Sequence, residues 1–142
     1  MGDPAKHSLL IAEDDPNIRF LMEVAANRTG AFRRVESVVD GQAALDALRQ
    51  RPPADYPDLL VSDLSMPRMD GLSLIRELKR DPNTRRIPIA IITSSNVPND
   101  RRDAMAAGAC AFVEKPYGID ALTQVLEALR ESFLAGASAA DR

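Results

Sequence analysis

The chain has 142 residues, 45% of them hydrophobic and only 4% aromatic, which suits one domain with an aliphatic core. A formal net charge of −3 argues against broad nucleic-acid binding, which asks for a basic face. No apolar run nears the ~20 residues of a membrane span, and a lone Cys110 and a lone His7 exclude an internal disulfide, histidine-based catalysis and a histidine metal cluster.

The start Met1-Gly2-Asp3-Pro4 has neither the charged nor the apolar region of a signal peptide, so a reduced, cytoplasmic setting is expected. Short apolar runs then alternate with helical patterns, as in a parallel α/β sheet. His7–Glu13 reads as the first strand, and a helix follows from Asp15-Pro16 with Ile18, Leu21, Met22 and Ala25 on its buried face. Phe32–Val38 is a second, more polar strand near an edge, and Asp40–Gln50 a second helix capped by Asp40. The proline-rich stretch 52–57 is a stiff connection to a third strand, Asp58–Asp63. After the loop 65–69, Asp70-Gly71 opens a third helix that runs to Arg80. Ile87–Thr93 is apolar throughout and reads as an interior strand. Pro98–Ala107 is a short fourth helix stopped by Gly108, Cys110–Glu114 the fifth strand and Ile119–Phe133 the last helix. The chain thus divides into an N-terminal segment 1–7, one domain 8–134 and a small polar tail 135–142 that should fray. The expected fold is a three-layer, doubly wound α/β domain with a five-stranded parallel sheet in the flavodoxin-like order 2-1-3-4-5.

The chemistry gathers where the strands end. Glu13 and Asp14 close the first strand, Asp63 the third, and Lys115 the fifth. In an open parallel sheet this is the ligand-binding edge. Two carboxylates ~4 Å apart repel by ~4 kcal/mol at an effective dielectric of 20, so three in one crevice call for a cation. Mg²⁺ suits them, since it takes oxygen ligands and is often shared between carboxylates and phosphate. Asp15 reads equally well as the cap of the first helix, whereas Asp63 precedes no immediate helix. Asp63 is therefore a candidate nucleophile able to carry a phosphoryl group as an acyl phosphate. Lys115 can pair with Asp63 before transfer and with phosphoryl oxygens afterwards. Thr93 ends the fourth strand, where its hydroxyl can bond a phosphoryl oxygen; Ser95 or Asn96 is expected to cap the following helix. The turn at Lys115-Pro116 suits a cis bond, and the sequence leaves its isomer open.

With these residues in view, the chain resembles a response-regulator receiver domain from about Ser8 to Phe133. The resemblance is carried by four segments in order: Ile11-Ala12-Glu13-Asp14-Asp15-Pro16, then Val61-Ser62-Asp63 through Met66-Pro67-Arg68-Met69-Asp70-Gly71, then Ile91-Ile92-Thr93-Ser94, then Gly108 through Phe112-Val113-Glu114-Lys115-Pro116. It implies a phosphoacceptor signalling protein, not an enzyme, in which Asp63 takes phosphate from a phosphohistidine on a sensor histidine kinase. It implies that Glu13, Asp14, Asp63 and the backbone carbonyl of Ser65 hold Mg²⁺. Thr93 would move toward the phosphoryl group and Phe112 would rotate inward behind it; the plainer reading of Phe112 is a core aromatic. The long connection 51–57, together with Thr93-Ser94-Ser95 and the segment 80–86, is similar to stand-alone regulators that pair with bacteriophytochromes. Ser65 and Ser95 occupy positions that tune dephosphorylation in that family.

With about nine residues after Phe133, no output module is expected, so the signal must leave through a surface. Ile119, Leu122, Leu126, Leu129 and Phe133 form the core stripe of the last helix, and Ala121, Val125, Ala128 and Leu134 widen it. This predicts a homodimer through the fourth helix, fifth strand and fifth helix, with no direct contact to nucleic acid or membrane. Three other readings compete. A phosphate sink would use the same chemistry at Asp63 without a downstream partner. A phosphatase of the haloacid-dehalogenase type would want an acid where Ser65 stands. A flavodoxin-like cofactor binder would want a Gly/Ser/Thr-rich loop where Glu13-Asp14-Asp15-Pro16 stands.

Overall fold

A computed structural model describes residues 7–135. The predicted terminal segments therefore fall almost entirely outside the described residues. Five strands, β1 (His7–Ala12), β2 (Phe32–Val38), β3 (Leu59–Ser62), β4 (Ile89–Thr93) and β5 (Ala111–Glu114), alternate with helices α1 (Pro16–Arg28), α2 (Gly41–Arg49), α3 (Gly71–Arg80), α4 (Pro98–Ala107) and α5 (Ile119–Arg130). The strands pair in parallel in the order β2-β1-β3-β4-β5, as expected.

The period-2 geometry of a strand explains the two cores. Leu9, Ile11, Leu59, Val61, Ala90 and Ile92 point to one face, under α1 and α5. Leu10, Ala12, Leu60, Ile89 and Ile91 point to the other, under α2, α3 and α4. Every residue of β3 and β4 is buried, which is why those segments read as uninterrupted apolar runs. The β2 segment lies at the sheet edge and carries two consecutive exposed arginines, Arg33 and Arg34. In β1 and β3 the strands stop one residue short of Glu13 and Asp63, so each acid begins a loop.

Several local readings change. Leu21 is 43% exposed, and the buried face of α1 consists of Met22, Ala25 and Ala26 instead. The helix is turned so that its small residues approach α5, leaving Leu21 at the rim. Asp15 caps α1, its carboxylate accepting from the Asn17 and Ile18 amides. Neither Ser95 nor Asn96 caps α4: the N-cap is Val97, without a side-chain bond. Pro98 opens the helix and brings no N–H to satisfy, while the Ser95 hydroxyl accepts from the Val97 amide and donates to Asp100. Helix α5 ends at Arg130 and passes into a π-turn, Glu131–Ala135. That turn sends Leu134 into the core, and Val125 and Phe133 pack against the same cluster. Of the residues that widen the stripe of the last helix, Val125 and Leu134 therefore serve this chain's own interior, whereas Ala128 is exposed. No peptide bond among the described residues is cis, so Lys115-Pro116 is trans.

Candidate functional site

The parallel ladders continue one step past the strands and so deliver the site residues. The Glu13 amide donates to Val38 O, the Asp63 amide to Ala12 O and the Lys115 amide to Thr93 O. These bonds fix three backbones at one edge before any side chain is placed. Glu13, Asp63 and Thr93 are buried there, and Asp14 is exposed at the mouth. Carboxylate oxygens of Glu13, Asp14 and Asp63 all lie within 4.8 Å of one another.

Lys115 stands between two of these acids. Its Nζ donates to Asp63 Oδ2 at 3.0 Å and lies 2.9 Å from Glu13 Oε1. The other Asp63 oxygen accepts from the Leu64 amide at 2.7 Å, which fixes the plane of the carboxylate. Glu13 Oε2 accepts from the Asp15 amide. Burial pushes the Glu13 carboxyl above its usual range, and the Lys115 and Asp15 contacts only partly oppose this. Burial also draws Lys115 downward, but its bonds to Glu13 and Asp63 outweigh burial and hold the ammonium above its usual value. Glu13 Oε1 is paired with the Lys115 ammonium and has no other donor. Three carboxylates gathered around a single ammonium are a donor set fit for a hard divalent cation.

Of the expected residues, Glu13, Asp14, Asp63 and Lys115 are thus brought together. Ser65 lies in the following loop, where it lines a shallow hollow with Asp70, Asp100 and Asp103 on the α3–α4 side. Thr93 Oγ1 accepts from the Ser95 amide at 3.3 Å. Phe112 is already buried, at 9% exposure, and the Arg101 guanidinium covers it at 6.0 Å from the ring centroid while donating to Phe112 O.

Two features of the site have weak sequence signals. Gly71 permits the loop to return: its amide donates to Leu64 O, and a Cβ there would lie 2.4 Å from Asp63 O. Arg68 has φ +64° and forks onto the carboxylate of Asp40. The Asp-Gly pair was legible as a helix start, whereas nothing in the local pattern ties residue 68 to residue 40.

The family model for the response regulator receiver domain matches residues 9–127. The chain belongs to the response regulator receiver family. It is similar to response regulator PleD of Caulobacter vibrioides, 38% identical over 109 residues, covering 76% of this chain and 22% of that protein. It is also similar to the probable methanogenesis regulatory protein FilR2 of Methanothrix harundinacea, 30% identical over 128 residues, covering 89% of this chain and 83% of that protein. The structure of the phosphorylated cyanobacterial phytochrome response regulator RcpA superposes with a TM-score of 0.82 at 27% identity, covering 93% of this receiver domain and 96% of that chain. This chain spans only about a fifth of PleD, so the likeness there is to the receiver portion. It is a receiver domain of two-component signalling, and no described helix is long and apolar enough to cross a membrane.

Proposed function

We propose that Asp63 accepts a phosphoryl group from a phosphohistidine of a sensor histidine kinase, and that Glu13, Asp14, Asp63 and the Ser65 carbonyl hold Mg²⁺ beside it. The observation that carries this reading is Lys115, bridging Glu13 and Asp63 within a set of three carboxylates. In the transfer, a carboxylate oxygen of Asp63 forms a bond to phosphorus, the phosphorus–nitrogen bond breaks, and the electron pair stays with the departing imidazole. Bound Mg²⁺ supplies positive charge that screens the incoming group from the carboxylates. The protein's own residues do the positioning. The Leu64 amide orients the Asp63 carboxylate, and Lys115 exchanges one anionic partner for another as charge moves from carboxylate to phosphoryl oxygens. Glu13 keeps Lys115 at the site throughout.

Thr93, buried at the end of β4, would bond the new phosphoryl group, and its present bond to the Ser95 amide would then be remade. Such a shift is driven by differential contacts in the two states. It would reach the surface through the loop before α4 and through Phe112, where Arg101 joins α4 to β5. The likeness to RcpA, a phytochrome response regulator, over nearly the whole described chain supports a phytochrome as the cognate kinase, and a cytoplasmic location goes with the same reading. A homodimer through α4, β5 and α5 draws its support from Met105 on α4 and the adjoining Val97, both exposed. Sedimentation with and without beryllofluoride tests it, and monomer under both conditions removes it.

Phosphotransfer from a candidate kinase, with Asp63→Asn as control, tests the central claim. Acid-labile, hydroxylamine-sensitive phosphate should appear on the wild-type protein and vanish in the variant. Equal labelling of Asp63→Asn overturns the assignment.

A further inference from the structure

The loop that follows Asp63 is fastened to the start of α2 at two adjacent points. Arg68 Nε donates to Asp40 Oδ2 at 2.8 Å and Nη2 to Oδ1 at 3.1 Å. The Asp40 side chain is only 4% exposed, and its Oδ1 also accepts from the Ala43 amide. Beside this fork, the Gly41 amide donates to Met69 O at 3.0 Å. A Cβ on Gly41 would sit 2.7 Å from that same oxygen, so the approach admits only glycine without a shift. The loop's far end is closed by the bond from the Gly71 amide to Leu64 O. Ser65 and Met66 lie between the two fastenings.

Arg68 makes its fork from a left-handed backbone, φ +64°, which residues with a Cβ avoid. Its side chain is 57% exposed, whereas the carboxylate it forks onto is 4% exposed, so the contact ties a surface arginine on the loop to a buried anchor at the start of α2. A strained conformation kept for that anchoring points toward the site that the strained loop shapes. We propose that Arg68 and Asp40 form a positioning clamp that holds the loop between Asp63 and Asp70 so that the Ser65 carbonyl is presented to Mg²⁺. The inference rests on the metal reading above. Neither residue is a ligand; both act through the loop.

Arg68→Gly separates the clamp from the strain, because glycine adopts this backbone freely. Coulomb's law alone predicts that removing a cation near an acidic crevice tightens Mg²⁺ binding. The clamp predicts the opposite sign. Calorimetric titration with Mg²⁺ should show the Kd of Arg68→Gly raised about tenfold, as for other residues that orient metal ligands from outside the ligand set. The metal-free variant should keep the wild-type circular dichroism spectrum. Hydrogen exchange at the Gly41 amide should quicken as its bond to Met69 O loosens. Arg68→Ala, which keeps the strain, should weaken binding at least as much. An unchanged or lower Kd in Arg68→Gly overturns the clamp while leaving the metal site intact. A wild-type protein that binds no Mg²⁺ overturns the metal reading, and this inference with it.

Discussion

Replacing Lys115 with methionine keeps most of the side chain and removes its charge. Its Nζ lies 2.9 Å from Glu13 Oε1 and 3.0 Å from Asp63 Oδ2. At an effective dielectric of 20, each contact carries ~5.5 kcal/mol of gross attraction. Desolvation of the three groups offsets much of this. After the substitution, carboxylates with oxygens within 4.8 Å of one another remain, a repulsion of ~3.5 kcal/mol on the same basis. Proton uptake by Glu13, whose carboxyl burial already pushes up, relieves part of it. Side-chain exposures of 16% for Lys115 and 10% for Asp63 place the site short of full burial. The expected net loss is about 3 kcal/mol, the low end for breaking a buried pair. In a domain of this size that lowers Tm by ~10 °C. The sign with pH follows from the raised Glu13 value. Between the unfolded and folded values the native state holds more protons, so stability falls as pH rises through that window. Lys115→Met raises the folded value further, so its deficit should be largest at neutral pH and shrink toward pH 5. Mg²⁺ should stabilise the variant more than the wild type, because it replaces the missing charge. Thermal melts at both pH values, with and without Mg²⁺, read all of this. A deficit absent at neutral pH, or one that grows on acidification, refutes the reasoning.

Gly71→Ala places a methyl group 2.4 Å from Asp63 O, a backbone atom with nowhere to go. A loss of ~2 kcal/mol or more is expected in denaturant melts, together with weakened Mg²⁺ binding. Leu60→Ala empties a fully buried position in β3 and should cost ~3 kcal/mol, with phosphotransfer retained wherever the protein is still folded. Arg51 donates to both oxygens of Glu36 and holds that carboxyl below its usual range. This contribution is present above the unfolded Glu value and is lost as pH falls through the folded one. Arg51→Ala should therefore cost ~0.5–1 kcal/mol more near neutral pH than in strong acid, where only its bonds to Ala47 O and Asp55 O are still lost; a cost that does not shrink on acidification would contradict the pairing.

The order of elements and the strand-end acids were legible because both depend on short-range pattern. A run such as Leu59-Leu60-Val61 can only be buried on two faces, and the residue after it must emerge at the sheet edge. The acidic cluster and its lysine follow from that topology. What the pattern hides is pairing at a distance. Nothing near Lys115 shows that it serves Glu13 as well as Asp63, because a parallel sheet sets that neighbour relation across four strands, from β1 to β5. The turn of α1 that exposes Leu21 depends on α5, and the tucking-in of Leu134 depends on a π-turn with no local signature. Ser95 illustrates a competing local choice: a residue type that favours caps instead bonds the Val97 amide and Asp100.

The backbone at residue 63 is locked by its neighbours while its side chain lies in the acidic crevice. Asp63 O receives the Ser62 hydroxyl and the close approach of Gly71, whereas the carboxylate accepts from the Leu64 N–H and the Lys115 ammonium beside Glu13 and Asp14. In a genetic screen, inactive alleles at these neighbouring points should therefore fall into two kinds. Changes at codon 63 should leave a protein of normal cellular abundance that competes with the wild type for its kinase and behaves as dominant. Changes at codon 71 should be cleared by proteolysis, as partly unfolded proteins are, and behave as recessive.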